Sequence, residues 1–360
     1  MLFRSSCSSQ KVCRMEAVPP NLDRSRHAWR WAIRLAAWLA VVVATGFMVW
    51  RLATDPIVRG LSGRSLDYGS LALAGIVSCA AQLLYCSRWH WFLRVVHVPV
   101  SWLEAVSASL MAQLLGAVAI GAAGSDVYRG VVTGRDRAGH RVGVVASILA
   151  DRVAGLYSLV CLAALAGSFT SGSGRWQLLR SASLPVLWTA VAVGGACIFS
   201  GLFFNLGPAL AWTRHWPFIH KAVVPMLAAV ERFRSRPGVY GVGIVSGIGV
   251  HALGAAMLWL VARGLGLPHP SLAEHLLIGP LAACTGLLPL PMAGLGAVEL
   301  VVDELYDTAI PNAGGAGMVA ALVVRILTLL AVAFLAAATN SLSRLVHSSK
   351  SGGGMIESKV

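Results

Sequence analysis

Charge is the scarcest commodity in this 360-residue chain. Only 12% of its residues are charged, against 57% hydrophobic, and the mean hydropathy is +0.72. A soluble domain carries about 25% charged residues, so the composition excludes one and leaves a membrane protein. Lysine is nearly absent, four residues against 25 arginines, and only 15 acidic residues face the 29 bases. The bases are scattered in short segments between apolar runs rather than gathered on one face. That sets nucleic acid aside as a partner and favours the membrane with its anionic headgroups. The seven cysteines include no CxxC pair, and the histidines show no metal-ligand spacing, so no metal, cofactor or disulfide framework is expected. Nucleotide loops, GxSxG and zinc motifs are also missing.

Long apolar runs are abundant. A helix needs about 20 residues to cross a hydrocarbon core of roughly 30 Å, and runs of that order recur from residue 31 to residue 338. Spans are expected at 31–50, 69–86, 142–167, 184–204, 239–262 and 316–338, with shorter or interrupted segments at 103–123 and 272–290. The fold class is therefore all-α, a polytopic membrane helix bundle of about eight transmembrane helices with a Pro/Gly-broken or re-entrant segment near 287–299. The embedded domain covers 31–340, preceded by a disordered polar and basic tail over 1–30 and followed by a flexible tail over 341–360. SRWHWFLRVVH, residues 87 to 97, mixes tryptophan and arginine as headgroup boundaries do. The basic, aromatic stretch 209–236 suits the interface plane. Gly243 and Gly247 stand at the GxxxG spacing that admits a close helix neighbour. No tandem repeat is evident in the sequence. Lysine and arginine divide almost evenly between the two sides, so the orientation of the termini is open.

A charge at mid-bilayer costs about 2.5–3.5 kcal/mol on insertion scales and persists where a bundle interior or a cavity compensates it. Three sites meet this description: Asp151 with Arg152, Glu299 with the acidic residues after it, and Arg325 in the last span. Consecutive residues on a helix point about 100° apart, so Asp151 and Arg152 are poorly placed to neutralise each other and each needs another partner. They read either as an ion pair pinning two spans or as part of a substrate site. Glu299, Asp303 and Asp307 fall at i, i+4 and i+8, one acidic stripe if the segment is helical. Asp303, Glu304 and Asp307 read as a solvated face, whereas Glu299 follows directly on the apolar turn LPLPMAGLGAV and is expected to lie deepest. In that turn Pro289 and Pro291 stop a helix, while Gly294 and Gly296 permit backbone closed to other residues. Such backbone survives at membrane depth where it is buried in protein or lines a cavity. Asp126 and Arg129, at i and i+3 in the polar segment 124–141, read as a surface turn. His251, alone in its span, reads as a packing residue with a hydrogen bond.

Together SRWHWFL (87–93), GSDVYRG (124–130), ILADRVAGL (148–156), LPLPMAGLGAVE (288–299) and VVRIL (323–327) resemble the flippase-like proteins related to the transmembrane region of lysylphosphatidylglycerol synthases. The likeness spans roughly residues 31 to 340. It marks Asp126, Arg129, Asp151, Arg152, Gly294, Gly296, Glu299 and Arg325, and implies a plasma-membrane protein that binds and translocates an anionic phospholipid or a polyprenyl-linked headgroup through a polar intramembrane cavity. On that reading Arg152 and Arg325 hold the phosphate, and Asp126 and Glu299 pair with them when the site is empty. Two alternatives stay open. One is a membrane-embedded transferase acting on a lipid carrier, with Glu299 or Asp151 as general base. The other is a non-catalytic scaffold whose charges pin helices together. The soluble aminoacyl-transfer domain of the synthases has no counterpart in these residues.

Overall fold

The computed structural model describes residues 46, 49, 50, 53, 54, 65–117, 121–135, 137–203, 233, 235, 236, 238–287 and 294–353. The expected span at 31–50 and the interfacial stretch at 209–236 therefore lie almost wholly outside the described residues, as do the N-terminal tail, Pro289 and Pro291.

Nine α-helices are formed among the described residues, with no strand: α1 (Tyr68–Val95), α2 (Trp102–Leu115), α3 (Gly121–Gly134), α4 (Arg141–Phe169), α5 (Gly174–Phe203), α6 (Gly238–Gly264), α7 (Leu272–Ala283), α8 (Ala297–Ala309) and α9 (Ala316–Gly353). Five of them, α1, α4, α5, α6 and α9, are long and apolar enough to cross a membrane. The other four have 12 to 14 residues. At 1.5 Å per residue they reach only about 18–21 Å, short of a bilayer core. The segment expected to be bent at 103–123 is thus α2 and the start of α3, with a π-turn at Gly116 and Ala117 closing α2. The segment expected at 272–290 is α7 followed by a 3-10 turn at Cys284–Leu287, and α8 begins after Gly296.

Residues 87–95 continue α1, with Arg88 3% exposed and Trp89 fully buried, while Trp91 and Arg94 stay exposed. One expectation is corrected here. Residues 124–134 are no surface turn but part of α3, and Arg129 is 1% exposed. Buried partners on α4, described below, make these inward positions tolerable.

The long helices α1 and α6 form the central pair and run antiparallel. At one end the Asp67 N–H, at the N-cap of α1, donates to the Gly264 carbonyl at the end of α6, 2.9 Å away. At the other, α6 presents Gly243 and Gly247. A methyl on Gly243 would come within 2.5 Å of the Phe92 ring, and one on Gly247 within 2.2 Å of Ser158 Oγ. Those glycines are where α1 and α4 approach α6, as small-residue spacing in a membrane helix permits. The largest apolar cluster joins α6, α7, α8 and α9 through residues such as Val261, Leu277, Tyr306 and Ala320.

Candidate functional site

Α1, α3 and α4 supply five charged side chains that form one chain of ion pairs. Arg88 Nε donates to Asp151 Oδ1 at 2.7 Å. Arg129 reaches Asp151 Oδ2 at 3.5 Å and Asp126 Oδ1 at 2.6 Å, and Arg152 Nε donates to Asp126 Oδ2 at 2.6 Å. The 100° between Asp151 and Arg152 explains the order: Asp151 turns inward to α1, and Arg152 turns to α3. Removing such charges from water is costly, and close opposite charges offset the cost only when the remaining donors are also occupied. Here the offset is incomplete. Three guanidiniums meet two carboxylates, and the buried Nη1 atoms of Arg88 and Arg129 have no hydrogen-bond partner. Arg129 also lies over the Trp89 ring at 4.7 Å, a cation–π contact that returns part of the lost hydration. Trp89 is held in turn by donating to Ser147 Oγ at 3.1 Å.

The second charged site joins α8 to α9. Gly294 and Gly296 have φ of +68° and +86°, a region that only glycine enters freely, and the turn they make starts α8. Glu299, in the first turn of α8, accepts the Gly296 N–H through Oε2 at 2.8 Å and pairs through Oε1 with Arg325 Nε of α9. Its side chain is 1% exposed. The expectation that Glu299 lies deep holds. The expectation that Asp303 is solvated does not: Asp303 is 1% exposed and its Oδ1 accepts the Met318 N–H at 3.2 Å. It thereby caps α9 from the neighbouring helix, at a helix end where negative charge is favoured. Glu304 does face out, pairing with Arg175 at 2.8 Å, and Arg175 also reaches Asp307 at 3.5 Å. Asp303→Ala is expected to lower stability by about 1–2 kcal/mol, read as a lower detergent melting temperature, with Glu304→Ala near neutral.

Between the two charged sites lies a cavity of about 540 Å³. Arg152, Glu299 and Arg325 line it, joined by Gln82, Gln113 and His251. Most of the remaining wall is aliphatic. His251 donates from Nε2 to the Gly155 carbonyl at 3.1 Å, as expected of a packing histidine, while still facing the cavity. Ser78 Oγ and Gln113 Nε2, also on the wall, are buried without a hydrogen-bond partner. Asp126, Arg129 and Asp151 stand behind this wall, Asp126 directly against Arg152. The structure thus brings the expected residues of two distant segments to one place, with three of them on the cavity surface. Sequence reasoning missed Arg88, whose aromatic neighbours masked it as an interface residue, and the two glutamines, which no spacing singles out.

This arrangement, a cavity among long apolar helices lined by paired arginines, is accompanied by a family match. The model of the lysylphosphatidylglycerol synthase transmembrane region matches residues 27–336. The chain belongs to that family. It is therefore a multi-pass membrane protein of the lysylphosphatidylglycerol synthase transmembrane type, and the resemblance carried by the five motifs is established over most of the chain. No curated protein matches the chain.

Proposed function

We propose that this family member binds an amphiphile with an anionic headgroup, a phospholipid or a polyprenyl-linked phosphate, and moves it across the plasma membrane through the cavity. The observation that carries the reading is the cavity wall itself: two arginines, each already held by a carboxylate of a neighbouring helix, set in a largely aliphatic lining. A guanidinium offers planar paired donors that suit a phosphate. The aliphatic wall suits an acyl chain or a prenyl chain.

The paired carboxylates have a physical purpose on this reading. A bare arginine in the bilayer is costly, so an empty site needs a resident anion. When a phosphate arrives, it exchanges with Asp126 at Arg152, where Asp126 keeps Arg129, or joins Glu299 at Arg325, where Glu299 keeps the Gly296 N–H.

The test is translocation of fluorescent phosphatidylglycerol in vesicles of phosphatidylcholine and phosphatidylglycerol, followed by dithionite quenching of the outer leaflet. Wild-type protein is expected to expose the inner-leaflet probe. Arg152→Ala and Arg325→Ala are each expected to slow this by about tenfold or more, since hydrogen bonds to a charged group contribute about 1.5–3 kcal/mol. Unchanged rates in both folded variants would sink the mechanism.

A further inference from the structure

No repeat is visible along the sequence, yet the helix ends reveal one. Α1 and α6 close in the same way. His97 and Gly266 both take positive φ, 56° and 61°. The Val98 N–H donates back to the Leu93 carbonyl and the Leu267 N–H to the Ala262 carbonyl, the paired bonds of one helix-stop motif. Each stop is preceded by an arginine, Arg94 or Arg263, and followed by a proline, Pro99 or Pro268. Each then leads into a short helix opened by the same reciprocal cap, Ser101 with Glu104 on α2 and Ser271 with Glu274 on α7. Each short helix breaks, a second short helix follows, and a long helix ends the unit.

The charged pairs obey the same register. Asp126 and Arg152 are 26 residues apart, and so are Glu299 and Arg325, each pair made by an arginine Nε and a carboxylate oxygen. Packing agrees as well: α1 meets α6, the contact of α1 with α4 has its mate in α6 with α9, and that of α2 with α9 has its mate in α7 with α4. Because α1 and α6 are antiparallel, the two units are upside down relative to one another in the membrane. Α5 stands outside the repeat.

The units differ in one respect. On the register set by these landmarks, Arg88, Arg129 and Asp151 of the first unit correspond to Met257, Val302 and Val324 of the second. The cavity is also lopsided, since Glu299, Arg325 and Leu329 line it, while from the first unit's counterparts only Arg152 does. Inverted units in unlike conformations are how a carrier presents one site to either face, by exchanging the two conformations.

We infer that the Asp126–Arg152 pair is a second phosphate station, the inverted counterpart of Glu299–Arg325, and that the two stations serve opposite membrane faces in turn. The inference rests on the translocation reading for its ligand, a phosphate monoester or diester on a lipid. The buried charges Arg88, Arg129 and Asp151 hold the first unit in its present conformation, and their apolar counterparts leave the second free to line the cavity.

The experiment uses the full-length chain with its seven cysteines replaced, in sealed vesicles of phosphatidylcholine and phosphatidylglycerol, and an impermeant maleimide added to either face. Leu329→Cys on α9 and its counterpart Leu156→Cys on α4 are probed singly. Each is expected to react at least about ten times faster from one face than the other, the ratio a minor state of at most about 10% gives, with the two preferred faces opposite. Adding Arg88→Met, Arg129→Val and Asp151→Val together, so that the first unit carries the residues of the second, is expected to speed labelling of Leu156→Cys and slow that of Leu329→Cys. Reaction of both positions from the same face, or no reaction of Leu156→Cys in the otherwise unaltered background, overturns the inference even if the triple variant does not fold. Labelling needs no transported lipid. Opposite-face labelling without phosphatidylglycerol movement therefore refutes the ligand and keeps the alternation, whereas lipid movement with same-face labelling does the reverse.

Discussion

Asp151→Ala is expected to yield a chain that no longer survives detergent extraction as a single dispersed species. Asp151 is 1% exposed and is the shared acceptor of Arg88 and Arg129, which are themselves 3% and 1% exposed. Removing one partner of a buried pair costs about 3–5 kcal/mol, because the charge left behind is neither hydrated nor paired. Arg129 keeps Asp126, whereas Arg88 is left, among the described residues, with its contact to the Tyr85 ring at 5.5 Å. The loss should therefore be reversed by removing the stranded charge as well. Arg88→Met with Asp151→Val, both apolar and of workable volume, is expected to recover most of the melting temperature that Asp151→Ala loses. Fluorescence-detected size exclusion after heating measures both. Equal damage in the single and double variants would mean that shape, not charge, sets the requirement at this position.

The second large effect is expected at Arg325. Arg325→Ala leaves the Glu299 carboxylate, 1% exposed, without its ion pair and accepting the Gly296 N–H at 2.8 Å, again a loss of about 3–5 kcal/mol. Glu299→Gln in the same background keeps an oxygen for that N–H and removes the charge. Stability is expected to return and lipid movement to remain slowed by about tenfold or more. This separates a headgroup site from a mere helix pin. If the pair only tied α8 to α9, the exchanged variant Glu299→Arg with Arg325→Glu would restore transport along with stability. The expectation is recovery of stability alone, because the exchange puts the guanidinium on the short helix and a carboxylate where the phosphate must bind.

Local physical chemistry made part of this legible in advance. The angular separation of Asp151 and Arg152 required separate partners, and the structure supplies Arg88 with Arg129 for one and Asp126 for the other. The turn at Gly294 and Gly296 and the depth of Glu299 followed from the glycines' freedom and from the need to shelter irregular backbone. What escaped was non-local. Arg88 sits among tryptophans that fit a headgroup boundary equally well, and only Asp151, 63 residues on, draws it inward. Residues 124–134 have the polarity and glycine content of a loop, yet they form a helix because Arg129 finds Asp151 across α4. Asp303 belongs to an acidic stripe by spacing, and it is buried because the N-terminus of α9 arrives beside it 15 residues later. The inverted units were invisible for a related reason: their likeness lies in helix stops, caps and the spacing of ion pairs, while apolar residues at most other positions exchange freely.

Headgroup discrimination tests the central claim most directly. In reconstituted vesicles, the rate of movement of fluorescent phosphatidylglycerol is compared with that of phosphatidylcholine bearing the same fluorophore and acyl chains. If Arg152 and Arg325 exchange their carboxylates for an anionic headgroup, wild-type protein moves the anionic lipid about tenfold faster or more, as 1.4 kcal/mol of differential interaction requires. The preference falls to about one in folded Arg152→Gln/Arg325→Gln, where no guanidinium remains on the cavity wall to make that difference. Equal rates for the two lipids in wild-type protein, or a preference that survives the double substitution, would contradict the account.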